Sequence, residues 1–360
     1  MSNNWEILQS KTIDALRFPM AVAVVILHHG ITLMEDATGP LRICLIVFQE
    51  GLCRLAVPCF FFISGYLFFN KLQDWSWGEW KRKIKSRGRT LLVPYLLWNL
   101  IAFFAFWAFA RIQGDGISLH EHFLNNGGPR LFWSTNGDIP LGLRSAPCDP
   151  PLWFIRDLML FTLLTPLIHP FLRWTRGFGA LAIAVFFLFV PGIIPEGFVF
   201  YLTGCAFQLQ RKNVVETLWP RRVDFYLLSV VFLIALCILF DNEYWRRLAK
   251  NLFLFCGIAA AFCATAHLLQ QDRIRVHPFL ARSSFFIFAA HYILILHDFA
   301  RPMVYALLPN SGAIWPCLNL FLTPLLAVGI CLGLLFLMER LIPRTTALLT
   351  GNRMTKPSYS

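Results

Sequence analysis

Charge is scarce in this sequence. Lys, Arg, Asp and Glu make up 14% of its 360 residues, and the two acidic types contribute only 20 positions. A soluble domain carries about 25% charged residues, so the balance points away from a soluble enzyme. A disordered chain needs few apolar residues and is excluded by their abundance. Metal-ligand spacing is missing as well. Among ten cysteines there is no CxxC, and no Cys/His pair stands at zinc spacing, so no metal is expected. Cys44, Cys53, Cys59, Cys205, Cys237, Cys256, Cys263 and Cys331 fall in apolar runs, where a thiol behaves as a small hydrophobe. No structural disulfide is expected; Cys148, in a loop, is left open. The net charge of +12 is not gathered into a basic, aromatic-interleaved stripe, so nucleic acid is not an expected partner.

What is abundant is apolar: 57% of residues, Phe alone supplying 36. Ten apolar segments can be read, at about 14–34, 42–70, 91–110, 152–172, 178–193, 197–210, 224–240, 250–270, 279–299 and 313–341. The segments at 178–193 and 197–210 are short and joined by the tight 191-PGIIPEG-197 connection. A span needs about 20 apolar residues, so the expected fold is all-α, a polytopic membrane protein with about ten transmembrane helices. The first segment lacks a small-residue cleavage site before Glu35-Asp36 and reads as a retained helix. Counting Lys and Arg in alternate connections gives roughly nineteen on one side against eight on the other. The richer side is cytoplasmic by the positive-inside rule, which places both termini in the cytoplasm and the protein in the cytoplasmic (inner) membrane. The expected organisation is one integral domain over 10–345, with a long extracytoplasmic loop at 111–150 and a cytoplasmic tail at 346–360. A forty-residue connection is more often functional than a spacer. Trp133, His120, Glu121 and Asp138 make it a candidate ligand-recognition lid.

Ionisable side chains inside apolar runs are costly and mark candidate sites. The first segment carries Arg17, His28 and His29. Eleven residues at 100° each come to ~1100°, within ~20° of three turns, so Arg17 and His28 share a face ~16 Å apart along the axis. Arg54 sits in 54-RLAVPCFFFISGYLFF-69, where Pro58 removes a backbone donor and Ser64-Gly65 permits close helix approach. Arg87-Gly88-Arg89 stands at the membrane edge of the third segment, where two guanidinium forks suit a phosphorylated ligand from the cytoplasm. The bland alternatives are a topology signal for the basic run, snorkelling for Arg17, and a structural hydrogen bond for His28 or His291. Arg156 and Asp157 are adjacent and project ~100° apart, which makes them a poor mutual pair. Glu339 lies near the cytoplasmic end of the last segment and can salt-bridge a basic residue without a chemical role.

Taken in order, five features resemble the membrane acyltransferase-3 family, integral ten-helix proteins that O-acylate envelope carbohydrates. They are Arg17-x10-His28; 57-VPCFFFISGY-66; Arg87-x-Arg89 followed by 92-LVPY-95; 152-LWFIRDL-158; and 284-SFFIFAAH-291. The resemblance covers about residues 10–345. It implies an acyl-CoA-dependent O-acyltransferase with acetyl as the expected group, an envelope carbohydrate or related acceptor, and a bilayer setting. It implies His28 and Arg17 as catalytic residues and Arg87 and Arg89 as the donor-phosphate site. Arg54, Arg156, Asp157, His291 and Glu339 are candidates for substrate or oxyanion contact, Glu339 standing for the acidic residue some members use. His28 then acts either as general base toward an acceptor hydroxyl or as an acyl relay, and the sequence leaves both routes open. The rival class is a transporter or flippase of an acylated or sugar-linked substrate, although no paired broken helices mark an inverted repeat.

Overall fold

The computed structural model describes residues 2–31, 33, 37–70, 75–134, 146–190, 192–308 and 314–353. Lys71, Asp138, Arg144 and Pro191 lie outside the described residues. Every regular element among those described is helical. Taken in chain order these helices are α1 (Ser2–Ile31), α2 (Gly39–Phe69), α3 (Trp77–Ile112), α4 (Leu119–Asn125), α5 (Trp153–Leu163), α6 (Thr165–Trp174), α7 (Phe178–Phe189), α8 (Glu196–Leu209), α9 (Arg222–Ile238), α10 (Glu243–Gln270), α11 (Pro278–Leu307), α12 (Ile314–Leu341) and α13 (Pro343–Leu349).

Five of them, α2, α3, α10, α11 and α12, are long and apolar enough to cross a membrane, and α5 with α6 make a sixth if the pair, bent by 60°, counts as one span. Each of the ten apolar segments read from the sequence falls on one of these helices or on the bent pair. Length separates the rest: α7 has 12 residues, α8 has 14 and α9 has 17. α1 has 30 residues but carries Asp14, Arg17 and two histidines among its apolar ones. The outward faces are greasy. On α9, Leu227, Val230, Val231, Ile234 and Ile238 are all exposed, a surface that water would not stabilise and lipid tails would.

Packing at the centre depends on small residues. α2 crosses α8 so closely that a Cβ added at Gly65 would sit 2.1 Å from the Tyr201 carbonyl oxygen, and one at Gly204 would sit 2.1 Å from that of Phe62. Only hydrogen fits at either position. Aromatic rings fill the space beside this crossing, with Phe61 4.5 Å from Phe154 and 5.4 Å from Phe161 by ring centroids.

Local chemistry explains the helix ends near the site. Ser76 caps α3, accepting the Glu79 N–H at 3.2 Å, and the charged first three turns of α3 then enter the apolar run through one widened turn at Gly88–Leu92. Lys83 points back to the carbonyls of Phe68 and Asn70 at the end of α2. α11 breaks within its span: Ile293 has ψ 92° and Leu294 has φ 60°, the left-handed region that costs a branched residue of order 1 kcal/mol or more. No disulfide is formed among the described residues. Burial pushes the Cys148 thiol up to about 12, which leaves it unreactive as a thiolate source.

Candidate functional site

A cavity of about 670 Å³ opens between the Arg17 end of α1 and the starts of α3 and α11. That is within the range of cavities that hold a cofactor-sized ligand, roughly 300–1,000 Å³. Its lining is cationic and hydroxyl-rich toward the Arg17 end of α1. Arg17, Lys83, Arg87, Arg282 and Arg353 line it, with Ser64, Ser86, Thr90 and Ser284 between them. Asp14 is the one acidic side chain in the lining, and it pairs with Arg17 at 2.7 Å, one helical turn away.

Arg282 is held by Glu339. Its Nε donates to Oε1 at 3.0 Å and its Nη2 to Oε2 at 2.9 Å, a bidentate fork that ties α11 to α12 and fixes the guanidinium plane. Glu339, expected near the cytoplasmic end of the last segment, thus acts on the cavity through Arg282. Arg87 has no ion pair among the described residues. The structure brings Arg87 to the cavity wall and leaves Arg89 exposed outside it. Two positions apart on a helix means ~200° of rotation, which sends the two side chains off different sides of α3.

The end toward His291 is aromatic. Phe60, Phe154 and Phe288 line it, the rings of Phe60 and Phe154 lying 6.0 Å apart and those of Phe154 and Phe288 5.5 Å apart. One turn beyond Phe288 on α11 stands His291. Its ring is 5.2 Å from that of His28, and the Tyr292 ring is 5.4 Å from His28 on a second side. His297 extends the group, 5.1 Å from Tyr292. His28 therefore faces other side chains within the bundle; it is beyond the aromatic lining and is not itself a lining residue of the cavity. His291 Nδ1 lies 2.9 Å from the Ile287 carbonyl oxygen. With the proton on Nδ1, the fully buried Nε2 has no hydrogen-bond partner among the described residues and is an acceptor. Arg54 is near enough to act electrostatically on His28 and is paired with Glu50 at 3.1 Å.

Arg156 and Asp157 correct the sequence expectation. They are a mutual pair, with Arg156 Nε donating to Asp157 Oδ1 at 2.9 Å and both side chains 4% exposed or less. Adjacent Cβ atoms do diverge by ~100°, but the arginine stem is long enough to fold back across that angle. The same guanidinium donates to the Trp133 carbonyl oxygen at 2.6 Å and lies 5.3 Å from the Trp133 ring. This cluster pins the end of the long loop to α5. Glu121 likewise acts locally, its carboxylate accepting the Ser118 N–H at 2.9 Å and the Ser118 hydroxyl at 2.8 Å and so capping α4. His120 is exposed beside it.

Four participants were not singled out in the sequence. Asp14 had a signal, the i,i+3 spacing to Arg17. Arg282 and Arg353 had none, since their neighbours come from distant elements. Asp149 is fully buried, its N–H donates to Asn99 Oδ1 at 3.0 Å, and neither carboxyl oxygen has a hydrogen-bond partner among the described residues. Burial pushes this carboxyl well above its ordinary value.

A helical bundle with apolar outward faces and several helices long and apolar enough to span a bilayer is that of a multi-pass membrane protein, here with a cationic cavity at one end and a buried histidine group beyond it. The comparison with known proteins narrows the class. The family described as "Acyltransferase domain" matches residues 10–340, and the chain belongs to this membrane acyltransferase-3 family. It is 30% identical over 316 residues, covering 84% of this chain and 80% of the relative, to the succinoglycan biosynthesis protein ExoH of Rhizobium meliloti (strain 1021). No solved structure matches. Membership favours group transfer over the rival reading of a transporter.

Proposed function

We propose that the protein transfers an acyl group, with acetyl as the expected one, from cytoplasmic acyl-CoA to a hydroxyl of an envelope carbohydrate of the exopolysaccharide kind. The relative's role in succinoglycan biosynthesis supports the acceptor class. The observation that carries the reading is a cationic cavity whose aromatic lining ends one turn short of His291, with the His28–His291–Tyr292 ring group just beyond. In this reading the nucleotide phosphates of the donor rest on Arg17, Arg87 and Arg282, with Glu339 holding Arg282 in place. The slender pantetheine arm passes between Phe60, Phe154 and Phe288, and the thioester reaches His28.

His28 then works as base or as acyl relay. As base, its neutral imidazole takes the acceptor hydroxyl proton while that oxygen bonds to the thioester carbonyl carbon. The C–S bond breaks, and the imidazolium returns the proton to the departing thiolate, giving the O-ester and free CoA. As relay, an imidazole nitrogen takes the acyl group first and passes it to the hydroxyl. Arg54, partly exposed and close to His28, suits stabilisation of the oxyanion better than Arg156, which is committed to Asp157 and Trp133. Ten crossing segments, made of the five long helices, the bent pair, α1, α7, α8 and α9, with both termini in the cytoplasm of the inner membrane, complete the proposal.

Purified His28→Ala protein tests it. CoA binding should persist while acyl transfer falls by about 10²-fold or more, the usual contribution of a positioned acid–base group. Full transfer activity in that variant would remove His28 from the chemistry.

A further inference from the structure

The chain beyond α12 does not trail away from the bundle. Thr346 Oγ1 bonds the Met338 and Ile342 carbonyls at 2.9 Å each, folding α13 back against the end of α12. Trp98 of α3 donates through Nε1 to the Leu349 carbonyl at 3.0 Å. The chain then turns at Gly351, whose φ is +63° and whose added Cβ would meet the Thr90 carbonyl oxygen at 2.3 Å. Any other residue would be both strained and obstructed there. The turn delivers Gly351, Asn352 and Arg353 to the wall of the cationic cavity.

The Arg353 guanidinium lies 4.1 Å from the centre of the Phe285 ring and, among the described residues, donates from Nη1 to the Thr350 carbonyl at 3.2 Å. A guanidinium over an aromatic face still has further N–H groups to offer a ligand. Of the four arginines in the cavity, Arg17 has Asp14 and Arg282 has Glu339, whereas neither Arg87 nor Arg353 is ion-paired among the described residues. Burial, with Arg17 and Arg87 close by, pushes Arg353 down from its usual value. An arginine stays protonated in proteins, so the crowding persists as repulsion that a multiply charged anion would relieve.

We propose that Arg353 is a donor-binding residue, which with Arg87 takes the phosphate oxygens of the nucleotide end of the acyl donor, so that the C-terminal turn forms part of the donor site. This rests on the acyl-CoA reading above. It assigns a role to a position beyond residues 10–340, where the family match stops.

The test is calorimetric titration of the detergent-purified full chain with CoA and with adenosine 3′,5′-bisphosphate, for wild type, Arg353→Gln and Arg353→Lys at two salt concentrations. Melting of each ligand-free variant is recorded alongside. Loss of a charge-assisted contact should weaken binding of both ligands roughly tenfold or more in Arg353→Gln and flatten the salt dependence. Arg353→Lys should recover part of the affinity, because it keeps the charge without the fork. Equal CoA affinity in wild type and Arg353→Gln would overturn the assignment. So would a lowered ligand-free melting temperature in Arg353→Gln together with undiminished affinity in Arg353→Lys, since Arg353 would then only pack against Phe285. Failure of the donor reading looks different: wild-type protein itself would not bind CoA.

Discussion

At the scale of single residues, burial and reach matter more than sequence distance. Arg156 bends back onto its neighbour Asp157, while Arg87 and Arg89, which look like a pair on paper, are separated by the turn of the helix. Asp149 allows a direct measurement. Its buried carboxyl has no hydrogen-bond partner among the described residues and is pushed well above its ordinary value. A raised carboxyl holds its proton in the folded state where the unfolded chain has lost it. Stability therefore falls as pH rises from about 4, by up to ~1.4 kcal/mol per pH unit, until the buried acid ionises. Asp149→Asn removes this slope, so the variant should gain melting temperature relative to wild type between pH 5 and pH 8, values near which such proteins are commonly handled, and lose the advantage at about pH 4. Parallel melting curves across that range would show that Asp149 is not held neutral.

At the scale of elements, the helices follow from apolar run length, and their caps from short motifs such as Ser76-x-x-Glu79 and Ser118-x-x-Glu121. Gly65 was legible as a place of close approach, but its partner Gly204 was not, because α2 and α8 meet only in three dimensions. Gly65→Leu should force the two backbones apart, costing roughly 1–3 kcal/mol or more for overpacking and reducing the yield of monodisperse protein in size-exclusion chromatography. Gly329→Ala on α12, where an added Cβ meets nothing within 4 Å, should behave as wild type. Equal yields for both variants would refute the tight crossing. Among the site helices, Arg17 and Arg87 stood out because a cation beside an apolar run is costly. Glu339 stood out likewise, as a charge beside an apolar run, but its partner Arg282 did not, because a fork between two helices leaves no periodic trace in either.

At the scale of the whole molecule, the proposed function requires the Lys- and Arg-rich end, where the cationic cavity opens, to face the cytoplasm. A protease-sensitive tag joined to the C terminus should be cleaved in inside-out membrane vesicles and protected in right-side-out ones. Protection in the first and cleavage in the second would invert the proposed topology and put the cavity on the wrong side for a cytoplasmic thioester. Hydropathy made the all-helical bundle legible, whereas the chamber within it needed coordinates, since its wall is drawn from α1, α2, α3, α5, α11 and the segment after α13.

That wall has a consequence for biogenesis. Arg17 leaves the ribosome long before Arg353, yet both belong to one lining. A nascent chain must insert its membrane helices while this basin is still open on one side. Long-range closure of this kind is slow compared with local helix formation, so the lining is complete only after the segment carrying Arg353 has emerged and docked.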